Sequence, residues 1–363
     1  MDKLWWSTIP NARKFVDDIA DELKNGRSAI YSINGTLPWS DTFTGILSSE
    51  IESSEKVVDI VYAEETDKKT PGEYLFDRYC KPELKMKYRS AMGYDKFLAA
   101  NDGSTVLINK YIYVKNCSQN AVKQWTEFIC KYNSQHMKNS PRCCFIIESL
   151  SNYNPNCNIT NFQWNDYYHQ YDIGMFCLLV SSSIKEKDLI KRYLAELSCS
   201  VSYDDVEFAA ELVSSGEKLV FDTEKTVRNI VENKCRSDHS FFIPPDNISG
   251  CIKEAQIKIF FPMIERFRTQ FIDEYIEQLE NNLTYTTVYG ETVSDCHELE
   301  LGALKFLCEN AKLFVSTEDY KELIFFRECR NKLAHMSLLS ETEIRKMSEY
   351  KFKKGMIKSK ALC

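Results

Sequence analysis

Apolar positions along the first half of the chain follow two alternating rhythms. From 11 to 23 they fall at helical spacing, with Phe15, Ile19 and Leu23 four residues apart, and Gly26 then leads into the continuous run Ala29-Ile30-Tyr31-Ser32-Ile33. The first rhythm predicts an amphipathic helix and the second a buried strand. Asn34-Gly35-Thr36-Leu37-Pro38-Trp39 is a turn signal, after which a helix is expected over 40–49. Further strands are expected at 57–62, 106–114 and 143–147, with a helix carrying Val122, Trp125, Ile129 and Tyr132 between the last two, and a fifth strand at 176–180. Strands alternating with helices predict an α/β layer architecture for the N-terminal domain.

From 184 to 231 the rhythm is helical throughout, marked by Leu189, Tyr193 and Leu197, then Val206, Ala210 and Val213, and closed by Gly216. The segment 237–250, with Pro244-Pro245-Asp246-Asn247, breaks every period and is the expected domain boundary. Beyond it Ala255, Ile259, Met263, Phe267, Phe271, Tyr275 and Leu279 recur at a fixed four-residue step, a stripe that faces a core or a partner. Pro262 is expected to kink this helix rather than end it. After a connection at 281–294, a second helix is expected over 297–313 with Leu299, Ala303, Phe306 and Leu307 on one side. Ser316-Thr317-Glu318-Asp319 starts a third helix with apolar Tyr320, Leu323, Ile324 and Phe326, and Ser340 with Glu343 has capping-box spacing for a fourth. The expected organisation is an α/β domain at 1–183, a helical appendix and linker at 184–246, and an all-α four-helix domain at 247–363.

Composition narrows the function classes. A chain of 363 residues with 44% apolar and 27% charged residues is an ordinary globular protein of two or three domains, with no apolar run long enough to cross a bilayer. Its start, Met1-Asp2-Lys3-Leu4-Trp5-Trp6, lacks the pattern of a secretory signal, so a cytoplasmic location is expected. The 14 cysteines are scattered without C-x-x-C pairs, and the 5 histidines lie far apart, so reduced core thiols and no metal site are expected. A net charge of −7 argues against electrostatic coating of nucleic acid but leaves room for a local basic site.

The order strand, loop, helix, strand at the N-terminus resembles a P-loop nucleotide-binding core of the AAA-like kind. A working phosphate loop needs G-x-x-x-x-G-K-[ST], and the segment from Gly35 to Ser40 has neither a second glycine nor a lysine. No acidic pair ends the third strand, Ile108-Asn109-Lys110-Tyr111-Ile112-Tyr113-Val114-Lys115. Glu148 after the fourth strand and Glu64-Glu65 after the second are read as carboxylates at exposed strand ends. The resemblance therefore implies a degenerate domain that binds nucleotide poorly, uses no cofactor and serves as a scaffold.

The C-terminal run Arg330-Asn331-Lys332-Leu333-Ala334-His335, late in a four-helix unit, resembles the hallmark of HEPN domains, an Arg followed at short spacing by a His. Glu298-Leu299-Glu300-Leu301-Gly302 resembles their second-helix region. The residue types suit RNA cleavage, because the 2′-hydroxyl of RNA can attack its own phosphate and needs only proton transfer and charge stabilisation. An imidazole such as that of His335 can accept or donate a proton, Arg330 offers a planar fork to phosphate oxygens, and Asn331 can bond phosphate or base. The resemblance implies a metal-independent endoribonuclease, a toxin or effector in a prokaryotic defence system, with an RNA substrate and a homodimer that joins two motifs in one cleft. The plainer reading pairs Arg330 with Glu328 or Glu322 and uses His335 as a helix C-cap. His136, His169, His239 and His297 have no comparable local partner and are read as surface or satisfied core residues. Two other functions stand beside the nuclease: a non-catalytic adaptor in a defence complex, and a HEPN toxin held by a nucleotidyltransferase antitoxin. The latter branch has Tyr two residues after the His, where this chain has Met336-Ser337.

Overall fold

The continuous apolar runs of the first half form the parallel strands that their composition implies. A computed structural model describes the chain apart from residues 34, 54–55, 67–68, 106, 138–140, 154–158, 235–246, 282–284, 287–291, 294 and 353–363. Two compact units divide between Phe176 and Cys177. The first holds β1 (Ala29–Ser32), β2 (Val57–Tyr62), β3 (Lys110–Cys117), β4 (Cys144–Ser149) and β5 (Thr160–Gln163). Their order in the sheet is β2-β3-β4-β1-β5, and every neighbouring pair is parallel. The expected strand at 176–180 is instead part of the helix Gln170–Ser182. There Phe176, Cys177 and Val180 are buried while Met175, Leu178 and Leu179 are exposed, a helical alternation that a short all-apolar run cannot reveal. The fifth strand lies earlier, at Thr160–Gln163.

Period-two alternation sorts the sheet residues to two covered faces. Ile30, Val61, Ile112, Val114, Phe145 and Ile147 face a core completed by Val122, Trp125 and Ile129 of the helix Gln119–Ser134 and by Leu75, Phe97 and Leu98. Opposite them Tyr31 packs on Phe15 of α2 (Pro10–Lys24) and Phe43 of α3 (Ser40–Ile51), with ring centroids 6.0 and 5.4 Å apart, and α1 (Asp2–Thr8) adds Trp6 against Phe43. Helices between 71 and 105 were not announced by the apolar pattern. The first, Pro71–Tyr79, has Pro at its start and Thr70 as N-cap, a local signal that was available.

One core contact stands outside the apolar pattern. His136 Nδ1 faces the carbonyl of Tyr132 at 2.9 Å and Nε2 faces Asp102 Oδ2 at 2.7 Å, while the Tyr132 hydroxyl donates to both Asp102 oxygens at 2.7 and 2.6 Å. The ring and the carboxylate form a hydrogen-bonded pair. Its side chains are 8% exposed. Burial raises the Asp102 pKa, and the hydrogen bonds from Tyr132 and His136 oppose that rise. His136, which showed no partner in sequence, is thus a satisfied core residue tying the turn Asp102–Thr105 to the helix Gln119–Ser134.

In the second unit the long helix Ile248–Glu274 runs unbroken through Pro262, capped by Asn247, whose side chain accepts from the Gly250 N–H at 2.8 Å. The segment expected as an appendix packs on it: Tyr193 of the helix Asp188–Ser202 meets Phe260 at 5.1 Å. On the helix Thr317–Ala334, Phe326 stacks on Phe267 at 4.1 Å. Of the expected stripe Ala255, Met263, Phe267, Phe271 and Leu279 are buried, Ile259 and Tyr275 are half-buried, and Phe260 and Ile264 are buried beside them. The helix expected over 297–313 is shorter, Leu301–Glu309, and Phe306 is 48% exposed rather than on the apolar side. The boundary signal Pro244-Pro245 and His239 lie outside the described residues, as does most of the 281–294 connection. Ten described cysteines carry free thiols, and Cys130 is disulfide-bonded.

Removing Asp102 leaves the Tyr132 hydroxyl and the His136 ring without their shared buried acceptor. Asp102→Ala is expected to cost about 3–5 kcal/mol, and Tyr132→Phe, which removes one donor to the carboxylate, about 1–3 kcal/mol. Urea unfolding followed by tryptophan fluorescence measures both, and a loss below ~1 kcal/mol for Asp102→Ala would remove this cluster from the stabilising contacts.

Candidate functional site

Two places gather chemistry-bearing side chains. In the first unit the chain leaves β1 toward β2 and leaves β4 in the opposite direction toward β5, so the carboxyl ends of β1 and β4 flank a topological switch point, where open α/β sheets bind ligands. Register places Tyr31 beside Glu148, with Tyr113 and Lys115 at alternate positions of β3 on the same face, beneath α3. Glu148 lies inside β4 and is 3% exposed, not at an exposed strand end. The Asn116 N–H and the Tyr31 hydroxyl favour its ionised form, and the Tyr31 and Tyr113 hydroxyls bond each other. Its Oε2 has no hydrogen-bond partner. Lys115, 5% exposed, sends Nζ to Thr44 Oγ1 at 3.1 Å and Ser40 Oγ at 3.4 Å in the first turns of α3, with Asp41 at 3.8 Å. The lysine missing from the loop after β1 has no counterpart there, and the cation at this crest comes from β3 and is spent on hydroxyls of the chain itself. Glu64 and Glu65, in the turn Ala63–Thr66, are exposed as expected.

The second place is the C-terminal end of the helix Thr317–Ala334. Leu323, Phe326, Cys329 and Leu333 face the core. Arg327, Arg330, Asn331, Ala334 and His335 are all half-buried or exposed, Arg330 flanking the core face beside Leu323 and Phe326 and His335 about 140° further round the axis. Arg330 is 33% exposed at its side chain and donates through Nη2 to Glu300 Oε2 at 3.1 Å, not to Glu328 or Glu322. Glu300 is the N-cap residue of Leu301–Glu309, and the turn before it is pinned by Arg268, whose Nη1 donates to the carbonyls of His297 at 2.6 Å and Leu299 at 3.2 Å. The two sequence runs that carried the family resemblance therefore meet through one ion pair.

His335 is the C-cap residue, as the plainer reading expected. Met336 N–H donates to the Leu333 carbonyl at 3.0 Å and Ser337 N–H to the Lys332 carbonyl at 2.8 Å, a Schellman closure with Met336 at φ 55 where glycine is usual. The loop that follows is held by Gln256, 2% exposed, whose amide accepts from the Leu339 N–H at 2.8 Å. The next helix, Glu341–Glu349, opens with the expected Ser340–Glu343 capping box, and Lys332 reaches Glu343 at 2.7 Å. His335 thus sits on an end fixed from both sides while its ring stays exposed, and among the described residues that ring has no hydrogen-bond partner. The sequence supplied Arg330, Asn331 and His335. The partner role of Glu300 and the burial of Lys115 and Glu148 depend on contacts between distant segments.

No protein-family model matches the chain, and no curated protein matches it.

Burial raises the Glu148 pKa, against the lowering effects of Lys115, the Asn116 N–H and Tyr31. A carboxyl with a raised folded pKa contributes stability that is complete below its unfolded pKa and lost as pH rises through the folded one. Glu148→Gln, which keeps the volume and cannot ionise, is therefore expected to raise Tm at neutral pH and to lose that advantage below about pH 4, where the unfolded carboxyl is protonated. Differential scanning calorimetry across pH checks this, and a gain that stays constant with pH would rule the charge out as its cause.

Proposed function

We propose that the chain is a metal-independent endoribonuclease whose catalytic groups are Arg330, Asn331 and His335. The observation that supports this best is that all three lie in the last turns of one helix with side chains open to solvent, and that Glu300 engages Arg330. His335 moves the protons, Arg330 holds the phosphoryl oxygens, and Asn331 positions the phosphate or an adjacent base. One copy supplies a single Arg–His set, so the cleft is completed by a second copy. The apolar stripe of the long helix is covered within the chain by Tyr193 and Phe326, which leaves exposed Phe306 and Phe314 as apolar surface for that contact. The first unit serves as a regulatory scaffold with weak or no nucleotide binding, and the resemblance of the motif to HEPN domains suggests a toxin or effector role in prokaryotic defence.

A second reading, a non-catalytic adaptor, is favoured by one observation: the guanidinium of Arg330 is already engaged by Glu300. His335→Ala is expected to cut RNA cleavage about 100-fold or more. Arg330→Ala should do likewise, and Arg330→Lys should recover little because a point charge cannot replace a bidentate fork. Activity should survive EDTA, spare DNA and leave 2′,3′-cyclic phosphate ends. If wild type and His335→Ala arrest growth equally on expression, or if neither does with the neighbouring genes present, the adaptor is the better reading.

A further inference from the structure

The strand β2 lies at an edge of the sheet and, among the described residues, pairs with β3 alone. Unpaired backbone groups along such an edge are a template for another strand. Along β2 the side away from β3 carries the N–H groups of alternate residues, Val58, Ile60 and Tyr62. Two of these three are occupied by carboxylates: Val58 N–H donates to Glu52 Oε1 at 3.0 Å and Tyr62 N–H to Glu65 Oε1 at 3.4 Å. Glu52 stands just past the end of α3 and Glu65 in the turn just past β2, so each reaches back over one end of the edge. Between them Ile60 is 37% exposed and Tyr62 46%, apolar surface of the kind that strand pairing buries.

We propose that Glu52 and Glu65 close the β2 edge against a second copy of this chain, which pairs there antiparallel when the two carboxylates are removed. The outward N–H groups are symmetric about Ile60, so two copies related by a two-fold axis match without slippage. Val58 then faces Tyr62 of the other copy, Ile60 faces Ile60, and Asp59 faces Val61. No like charges oppose each other, and the cross-strand pairs on the Ile60 face are apolar and β-branched or aromatic. Asp59 keeps its own partners, Arg78 at 2.9 Å and Lys110 at 3.6 Å. What keeps wild-type edges apart is therefore the pair of carboxylates, each filling a backbone donor and placing a negative charge where the other chain would lie.

The test is particle mass by light scattering after size-exclusion chromatography, at tens of micromolar, for wild type and for the Glu52→Ala/Glu65→Ala variant. The variant is expected to have at least twice the wild-type mass. Adding Ile60→Pro should restore the wild-type mass, since proline removes the central outward N–H and is tolerated at an edge position outside the β3 ladder. A folded double variant of unchanged mass overturns the proposal, as does a mass increase that Ile60→Pro leaves in place. Glu65 also bonds the Tyr74 hydroxyl at 3.0 Å. If circular dichroism shows that its loss unfolds the chain, Glu52→Ala alone carries the test: increased mass supports the proposal and unchanged mass overturns it.

Discussion

A sheet whose strands all run parallel has to be covered on both faces, because each strand returns to the same end by a crossover packed against the sheet. Much of the first unit depends on that constraint. It makes the strands continuous apolar runs, and it places α3 on one face between β1 and β2 and the helix Gln119–Ser134 on the other between β3 and β4. Those two connections move across the sheet in opposite directions, so right-handed crossovers require opposite faces. The same constraint traps Lys115 and Glu148, which sit where the strands end but α3 still covers them. A charge there has to find partners inside the protein, and Lys115 finds Ser40 and Thr44 while one oxygen of Glu148 finds none.

What the amino-acid sequence discloses follows from the range of each interaction. The runs at 29–33 and 143–147 were legible because burial on both faces leaves a local mark, the run at 57–62 because it is rich in β-branched residues although only Val61 is fully buried, and the Ser340–Glu343 box because its two partners are three residues apart. The run at 176–180 failed because a fully apolar pentapeptide fits either a strand or a helix, and only its neighbours from Gln170 decide. Phe306 failed for a different reason: the helix starts at Leu301 and buries Leu301, Leu304 and Leu307, a stripe that leaves Phe306 on the exposed side. Asp102 and His136 lie 34 residues apart, and no local period links them.

The candidate site illustrates the same division. Arg330 and His335 were legible as a spacing on one helix, but their usefulness depends on features that no spacing contains. A proton-transfer group has to be both accessible and fixed, and a helix terminus ordinarily frays. Here the Schellman closure at Met336 and the clasp of Gln256 on Leu339 hold the end of the helix without covering the imidazole. In the first unit the balance is reversed: Lys115 and Glu148 are fixed but buried.

The Arg330–Glu300 pair is the strongest argument against that site, and its magnitude decides how strong the argument is. Glu300 is 70% exposed and Arg330 33%. An ion pair so open to water contributes about 0–1 kcal/mol, and the carboxylate engages Arg330 through one nitrogen at 3.1 Å. A phosphate binding the guanidinium by two parallel charge-assisted hydrogen bonds exceeds that in both number and strength of contacts. Displacing Glu300 therefore costs less than a phosphate returns. The pair also spares Arg330 part of the entropy of searching its rotamers.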